Sequence, residues 1–296
     1  MGREECREDR GERGIADLGR QRVDECVDPG HLGRERPPGR EIGQIRECRL
    51  EVGIDVGRHH RFGLRRILHA QRQFARRRTG EAQHALRVLV AFRGCHGEAN
   101  KLPRAYHSGD TADVGFIVEL LQQRFPDVPL AAVGYSLGGN VLMKYCGEQA
   151  EQCPLQAAVA VSAPLQLSAS ADRINQGFSR VYQRYLLGRL KGTMRRKLAK
   201  HRPFPLPLTN NDIQKLQSIR QFDDLLTAPL HGFLNAEDYY HQASAKPYLS
   251  RIARPCLLIH AKDDPFLAPS VIPAQPRPPV QLLLSEHGGH VGFISG

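Results

Sequence analysis

Only seven cysteines occur in the 296-residue chain, an odd number with no CxxC pair and no regular spacing. That arithmetic argues against a disulfide framework and a zinc ribbon, and it makes a reducing, cytoplasmic setting the expectation. No apolar run approaches the roughly 20 residues of a membrane-spanning helix, so no transmembrane segment is expected. The opening stretch "MGREECREDRGERG" lacks the apolar core of a secretory signal.

Residues 1–86 lack lysine and tyrosine altogether. They hold 19 Arg and 15 acidic residues, and so supply only +4 of the formal net charge of +11. The two signs are interspersed and do not gather into a basic stripe, so no specific nucleic-acid partner is expected. Gly, Arg and Glu are scattered through short apolar patches, leaving little continuous face to offset the entropy of ordering them. The segment is expected to be poorly structured. It reads as a disordered Arg-rich tail, as a subdomain without clear periodicity, or as a non-native reading frame of GC-rich DNA, which would explain arginine without lysine.

From Arg87 the texture changes. "RVLVAFRG" (87–94) reads as a buried parallel strand running into a glycine loop. A helix follows in "SGDTADVGFIVELLQQRF", with Ser108 or Asp110 as its cap and Val114, Ile117, Val118, Leu121 and Phe125 on one apolar face. Next come the strand "LAAVGYS", a helix from Gly138 and the strand "LQAAVAVSAP". This alternation predicts an α/β fold with a mostly parallel sheet and helices on both faces. Residues 168–248 break the rhythm: they are helical and basic and read as an inserted cap. Phe178, Val181, Tyr182, Tyr185, Leu186, Leu190 and Met194 form one stripe there, read first as core packing of the cap. Strand texture returns in "RPCLLIHAKDDPF" and "VQLLLSE", and the last loop is "HGGHVGF".

The pattern Gly134-Tyr135-Ser136-Leu137-Gly138 sits where an apolar strand ends and a helix begins. Five letters are a weak signal, but this context is the one a nucleophile elbow requires. A turn this sharp strains the serine backbone, and Gly134 and Gly138 are expected to remove the collisions across it. The Leu137 N–H, at the helix start, is the expected oxyanion donor. A serine hydroxyl needs a histidine base, and the base needs a carboxylate to fix its tautomer. Asp264 and His290 follow later strands in the order Ser, Asp, His. Asp263 and His287 are the rivals at the two positions. Glycines 288 and 289 are expected to leave room for a mobile imidazole at 290. "HGGH" as a metal pair lacks a third ligand nearby, and Cys95-His96 as a thiol and its base is a weaker arrangement.

These residues resemble the AB hydrolase 4 family and, within it, the YheT-like bacterial α/β-hydrolases. "FRGCHGEANKLPRAYHSGDT", "AAVGYSLGGN", "GFSRVYQRYLL", "FDDLLTAPLHGF", "DYYHQASA", "LLIHAKDDPF" and "EHGGHVGF" carry the likeness. The resemblance implies an α/β-hydrolase domain over 87–296 with a helical cap. It implies a serine hydrolase of carboxylic esters, acting on lipid-like or short-chain esters without cofactor or metal, with Ser136 as nucleophile, Asp264 as acid and His290 as base. Phe178, Tyr182 and Tyr185 are candidates for an acyl pocket. The family's early strand with its HG-type oxyanion motif has no match in residues 1–86, so a gap beside the nucleophile strand is expected and the second oxyanion donor is unassigned. The family also continues beyond the six residues that follow His290, so the domain is expected to be incomplete. The alternative is an inert remnant or interaction protein whose Arg-rich tail binds nucleic acid.

Overall fold

The computed structural model describes residues 48–53, 86–95, 100 and 102–293. The chain divides into two units, 1–41 and 42–296, and every described residue belongs to the second. Expectations about the rest of residues 1–86 lie outside the described residues. So does His96, and with it the Cys95-His96 pair.

The described strands are Cys48–Gly53 (β1), Leu86–Ala91 (β2), Leu130–Tyr135 (β3), Ala157–Val161 (β4), Cys256–Ala261 (β5) and Val280–Ser285 (β6). They form one sheet in the order β2-β1-β3-β4-β5-β6, and every neighbouring pair is parallel. Small and apolar residues let the central strands be buried: Leu130, Ala132 and Val133 in β3, Ala158, Ala160 and Val161 in β4, Leu258 and Ala261 in β5. Parallel pairing brings all carboxyl ends to one edge, where ligands bind in open α/β sheets. The loops that leave β3, β5 and β6 at that edge carry Ser136, Asp264 and His290.

The expected gap beside β3 is filled. Residues Cys48–Gly53 pair with β2 on one side, from Cys48 opposite Leu86 to Gly53 opposite Ala91, and with β3 on the other, from Cys48 opposite Leu130 to Val52 opposite Gly134. A slot between two parallel strands is held by backbone N–H and C=O groups, which every non-proline residue owns. A reading based on side-chain pattern in an Arg-rich segment therefore misses it.

The helix Thr111–Arg124 (α1) buries Val114, Ile117, Val118 and Leu121 of the face expected from its spacing, while Phe125 stands at its C-cap, half-buried. Asp110 stands at its N-cap without a side-chain cap bond, and its carboxylate instead accepts from Arg104 at 2.6 Å. Helix Leu137–Gln149 (α2) is buried along Gly138–Gly147 and packs on β3 and β4. Val141, Leu142 and Met143 are wholly excluded from solvent, each such side chain contributing about 1.5–3 kcal/mol of transfer free energy.

Between β4 and β5 the chain is helical: Leu167–Ile174 (α3), Ser179–Lys200 (α4), Asn210–Lys215 (α5), a run of helical turns from Ile219 to Leu230, and Ala236–Ala243 (α6). A cluster of Leu187, Met194, Ile213, Leu216, Phe222 and Leu226 holds α4 to its neighbours. The expected core stripe of α4 is largely turned outward. Of its residues only Met194 is buried; Leu186 and Leu190 are half-buried, and Phe178, Val181, Tyr182 and Tyr185 are exposed, while Leu187, outside that stripe, turns inward. The interior takes Gln183 and Lys197 instead, because each finds hydrogen-bonding partners there. The buried Lys197 ammonium binds the carbonyls of Leu102 and Arg104 and the side-chain oxygen of Asn100, tying α4 to the 100–104 loop.

Candidate functional site

The turn from β3 into α2 puts Ser136 at φ 48° and ψ −120°. A non-glycine residue held there costs on the order of 1–3 kcal/mol and survives only when its surroundings over-determine it. They do so through hydrogen bonds on both sides. The Ser136 N–H donates to Val161 O at 2.8 Å, and the Ser136 carbonyl accepts from Gly139 N at 2.9 Å. Gly134 is required by close approach: a Cβ there would lie 2.5 Å from Gly138 O and 2.7 Å from Gly139 Cα. Gly138 therefore contributes the backbone that must be cleared. The second close approach belongs to Gly139, where a Cβ would meet that of Ala163 at 2.8 Å.

His290 comes to this turn from the loop after β6. Its Nε2 lies 2.9 Å from Ser136 Oγ, and its Nδ1 lies 2.9 and 3.1 Å from the two carboxylate oxygens of Asp264. Asp264 is almost wholly buried, and the Phe266 N–H donates to its Oδ1 at 2.8 Å. The rivals are placed elsewhere. His287 is turned to solvent, and Asp263 Oδ1 accepts from Gly288 N at 2.9 Å and Gly289 N at 2.8 Å. Those two amides also hold the Asp263 carboxyl below its ordinary pKa. Glycines 288 and 289 thus clamp the loop and do not free the imidazole. Gly288 fits against Phe293 and Ala261 with no room for a Cβ, and Gly289 adopts φ 54°.

Two further side chains lie on or beside the histidine, and the sequence did not single them out. Ser162, fully buried and at φ 50°, accepts from Val291 N through its Oγ at 3.2 Å, directly beside His290. Phe266 stacks on the imidazole with centroids 4.2 Å apart. The only signals available were a serine at the end of "LQAAVAVSAP" and the phenylalanine of "KDDPF", neither of which declares a role. His260, on β5, is fully buried, and both of its ring nitrogens lack a partner among the described residues. Burial lowers its pKa to about 4, with the nearby Asp264 charge opposing that shift.

Of the suggested pocket residues, Tyr182 packs on Phe266 at 5.1 Å between centroids, and Phe178 packs on Tyr182 at 6.0 Å. An aromatic row thus runs from the surface to His290. Tyr185 has no ring partner among the described residues and is 53% exposed. A cavity of ≈ 520 Å³ opens elsewhere, lined by His107, Lys144, Phe233, His241, Tyr248 and Arg251 among others, and it includes none of Ser136, Asp264 and His290. Side-chain geometry, not cavity size, locates the candidate site. Among the described residues no group of three His, Cys, Asp or Glu side chains gathers as a metal site.

Comparison with known proteins gives the same assignment of fold. Residues 88–296 match the family model described as the alpha/beta hydrolase fold. YheT of Escherichia coli (strain K12) is 51% identical over 213 residues, 71% of this chain and 62% of that protein. A monoacylglycerol lipase of Saccharomyces cerevisiae is 34% identical over 68% of this chain and 46% of its own length. Phospholipase ABHD3 of Homo sapiens is 31% identical over 71% of this chain and 51% of its own length. The chain therefore spans less than two thirds of the length of these relatives. A parallel sheet with a serine on a strained strand-to-helix turn, and a family match over most of the sequence, lead to one conclusion: this chain belongs to the alpha/beta hydrolase fold family and is similar to the YheT-like proteins.

Proposed function

We propose that the chain is a serine hydrolase of carboxylic esters in which Ser136, His290 and Asp264 act as nucleophile, base and acid. One observation carries the reading. Ser136 Oγ is 2.9 Å from His290 Nε2, while the opposite ring nitrogen faces the buried Asp264 carboxylate. In the first step the Ser136 hydroxyl gives its proton to Nε2 as Oγ attacks the ester carbonyl. Asp264 accepts from Nδ1–H, which fixes the tautomer and stabilises the imidazolium. The Leu137 N–H, first in α2, supplies one donor to the developing oxyanion. Collapse of the intermediate expels the alcohol, protonated by His290, and water then releases the acid from Ser136 by the same path.

The substrates are lipid-like or short-chain esters. The aromatic row Phe178, Tyr182 and Phe266, ending on His290, supports an apolar acyl or alcohol moiety, as do the names of the lipase and phospholipase relatives. The buried free thiols of Cys146, Cys153 and Cys256 support a reducing compartment such as the cytoplasm. Among the described residues no helix is long and apolar enough to cross a membrane.

The test is turnover of p-nitrophenyl acetate and butyrate, together with labelling by a fluorophosphonate probe. Both should be lost in Ser136→Ala with the fold retained. A chain that is folded yet neither turns over the esters nor takes the probe would end the reading.

A further inference from the structure

Helix α4 carries eight basic residues and no acidic one in "SRVYQRYLLGRLKGTMRRKLAK". Its amino-terminal half also presents an apolar row to solvent. Phe178, Val181, Tyr182 and Tyr185 recur at i, i+3, i+4 and i+7 and are 75, 57, 42 and 53% exposed. That spacing sets them on one line of the helix. Arg189 and Arg196 continue this line about three and five turns beyond Phe178, Arg184 borders it on one side roughly 110° round the helix, and Arg180 stands on the far side. These four arginines are exposed, and none forms an ion pair among the described residues.

An apolar row bordered by unpaired cations is the pattern of a helix that lies in a membrane interface, with its rings at headgroup depth and its arginines on anionic lipid. A second copy of the chain fits the face poorly. A two-fold contact sets the same surface against itself and would bring one arginine row onto another. The face is also continuous with the candidate site, through Phe178, Tyr182, Phe266 and His290.

We propose that the exposed face of α4 docks the protein on an anionic lipid bilayer, so that esters leave the lipid surface close to Ser136. The inference deepens the ester-hydrolase reading and rests on it for the substrate, but the docking itself is measured separately. Cosedimentation of the full chain with vesicles of phosphatidylcholine, with and without phosphatidylglycerol, should show binding at least about tenfold stronger to the anionic vesicles and weakened by salt. Val181→Asp and the double variant Arg184→Glu/Arg189→Glu should each lose about tenfold of that binding, while turnover of soluble p-nitrophenyl acetate is unchanged. Arg184→Ala/Arg189→Ala, a milder change, covers the case in which charge reversal unfolds the helix.

Equal binding by wild type and folded variants would overturn the proposal, because the lipid contact would then lie outside this face of α4. Equal affinity for zwitterionic and anionic vesicles would overturn it too. So would self-association that the variants abolish, or binding to single-stranded DNA in preference to vesicles. Vesicle binding without turnover of any soluble ester would leave the docking intact and end the catalytic reading.

Discussion

Gly134→Ala isolates the close approach on which the Ser136 turn depends. The added Cβ would lie 2.5 Å from Gly138 O, 2.7 Å from Gly138 C and 2.7 Å from Gly139 Cα. All three atoms are backbone, so no rotamer change relieves the contact. Since Cβ contacts below 3.0 Å essentially never occur, β3 and the start of α2 must part by at least about half an ångström. Such overpacking costs about 1–3 kcal/mol. The displaced atoms are those that aim Ser136 Oγ at His290 and, in the proposed mechanism, Leu137 N–H at the oxyanion. A misplacement of about 1 Å can cost ~10² in rate, so kcat for p-nitrophenyl butyrate should fall about 10- to 100-fold with a smaller change in KM.

Gly188→Ala supplies the opposite expectation. It lies within α4, and nothing is found within 4 Å of its Cβ position, so the helix should gain about 0.5–1 kcal/mol with turnover unchanged. Urea unfolding at neutral pH measures both stabilities. A Gly134→Ala protein within twofold of wild-type kcat, or as stable as wild type, would refute the assignment of that glycine to steric clearance.

Other perturbations probe the supports of the site. Ser162→Ala removes the acceptor of Val291 N and should lower kcat about tenfold with KM little changed. Ser162→Gly should lose the same activity yet retain more stability, because it relieves the positive φ; equal kcat in wild type and both variants would discount Ser162 as a positioning residue. His260, held neutral by burial with a pKa of about 4, makes stability fall with acidification. The unfolded chain takes up a proton below about 6.5 that the folded chain refuses until about 4, so up to roughly 3 kcal/mol is lost across that window. His260→Leu should flatten the change in urea midpoint between pH 7 and pH 4.5, and an unaltered slope would assign the acid sensitivity elsewhere. Lys197→Met leaves the carbonyls of Leu102 and Arg104 without the buried ammonium and should destabilise by about 2–4 kcal/mol. A loss below 0.5 kcal/mol, as for a surface change, would show that this tether adds little.

Residues 128–145 disclosed the elbow because its demands are local. A strand must end, a helix must begin, and small residues must stand where the two backbones nearly touch. The same locality exposed the apolar face of α1 and the strands β3, β5 and β6. The stripe of α4 shows where locality stops. Its spacing announced an amphipathic helix, but an apolar row has the same spacing whether a core or solvent meets it. Only the packed neighbours made Met194 interior, left Leu186 and Leu190 half-buried, and left Phe178, Val181, Tyr182 and Tyr185 outside. Ser162 and Phe266 were hidden for another reason: their partners Val291 and His290 are distant in the chain, and neither residue type announces a role.

From sequence alone came the α/β alternation, the strained serine between glycines, and the order Ser136, Asp264, His290, since each is written in short-range pattern and chain order. Tertiary structure decided which histidine meets the serine and which carboxylate meets that histidine. It turned Asp263 onto the amides of Gly288 and Gly289 and left Asp264 facing the imidazole. It also filled the slot beside β3 with Cys48–Gly53. Parallel pairing of strands far apart in sequence is satisfied by backbone groups common to all residues, so the side-chain pattern of those six residues could not announce it.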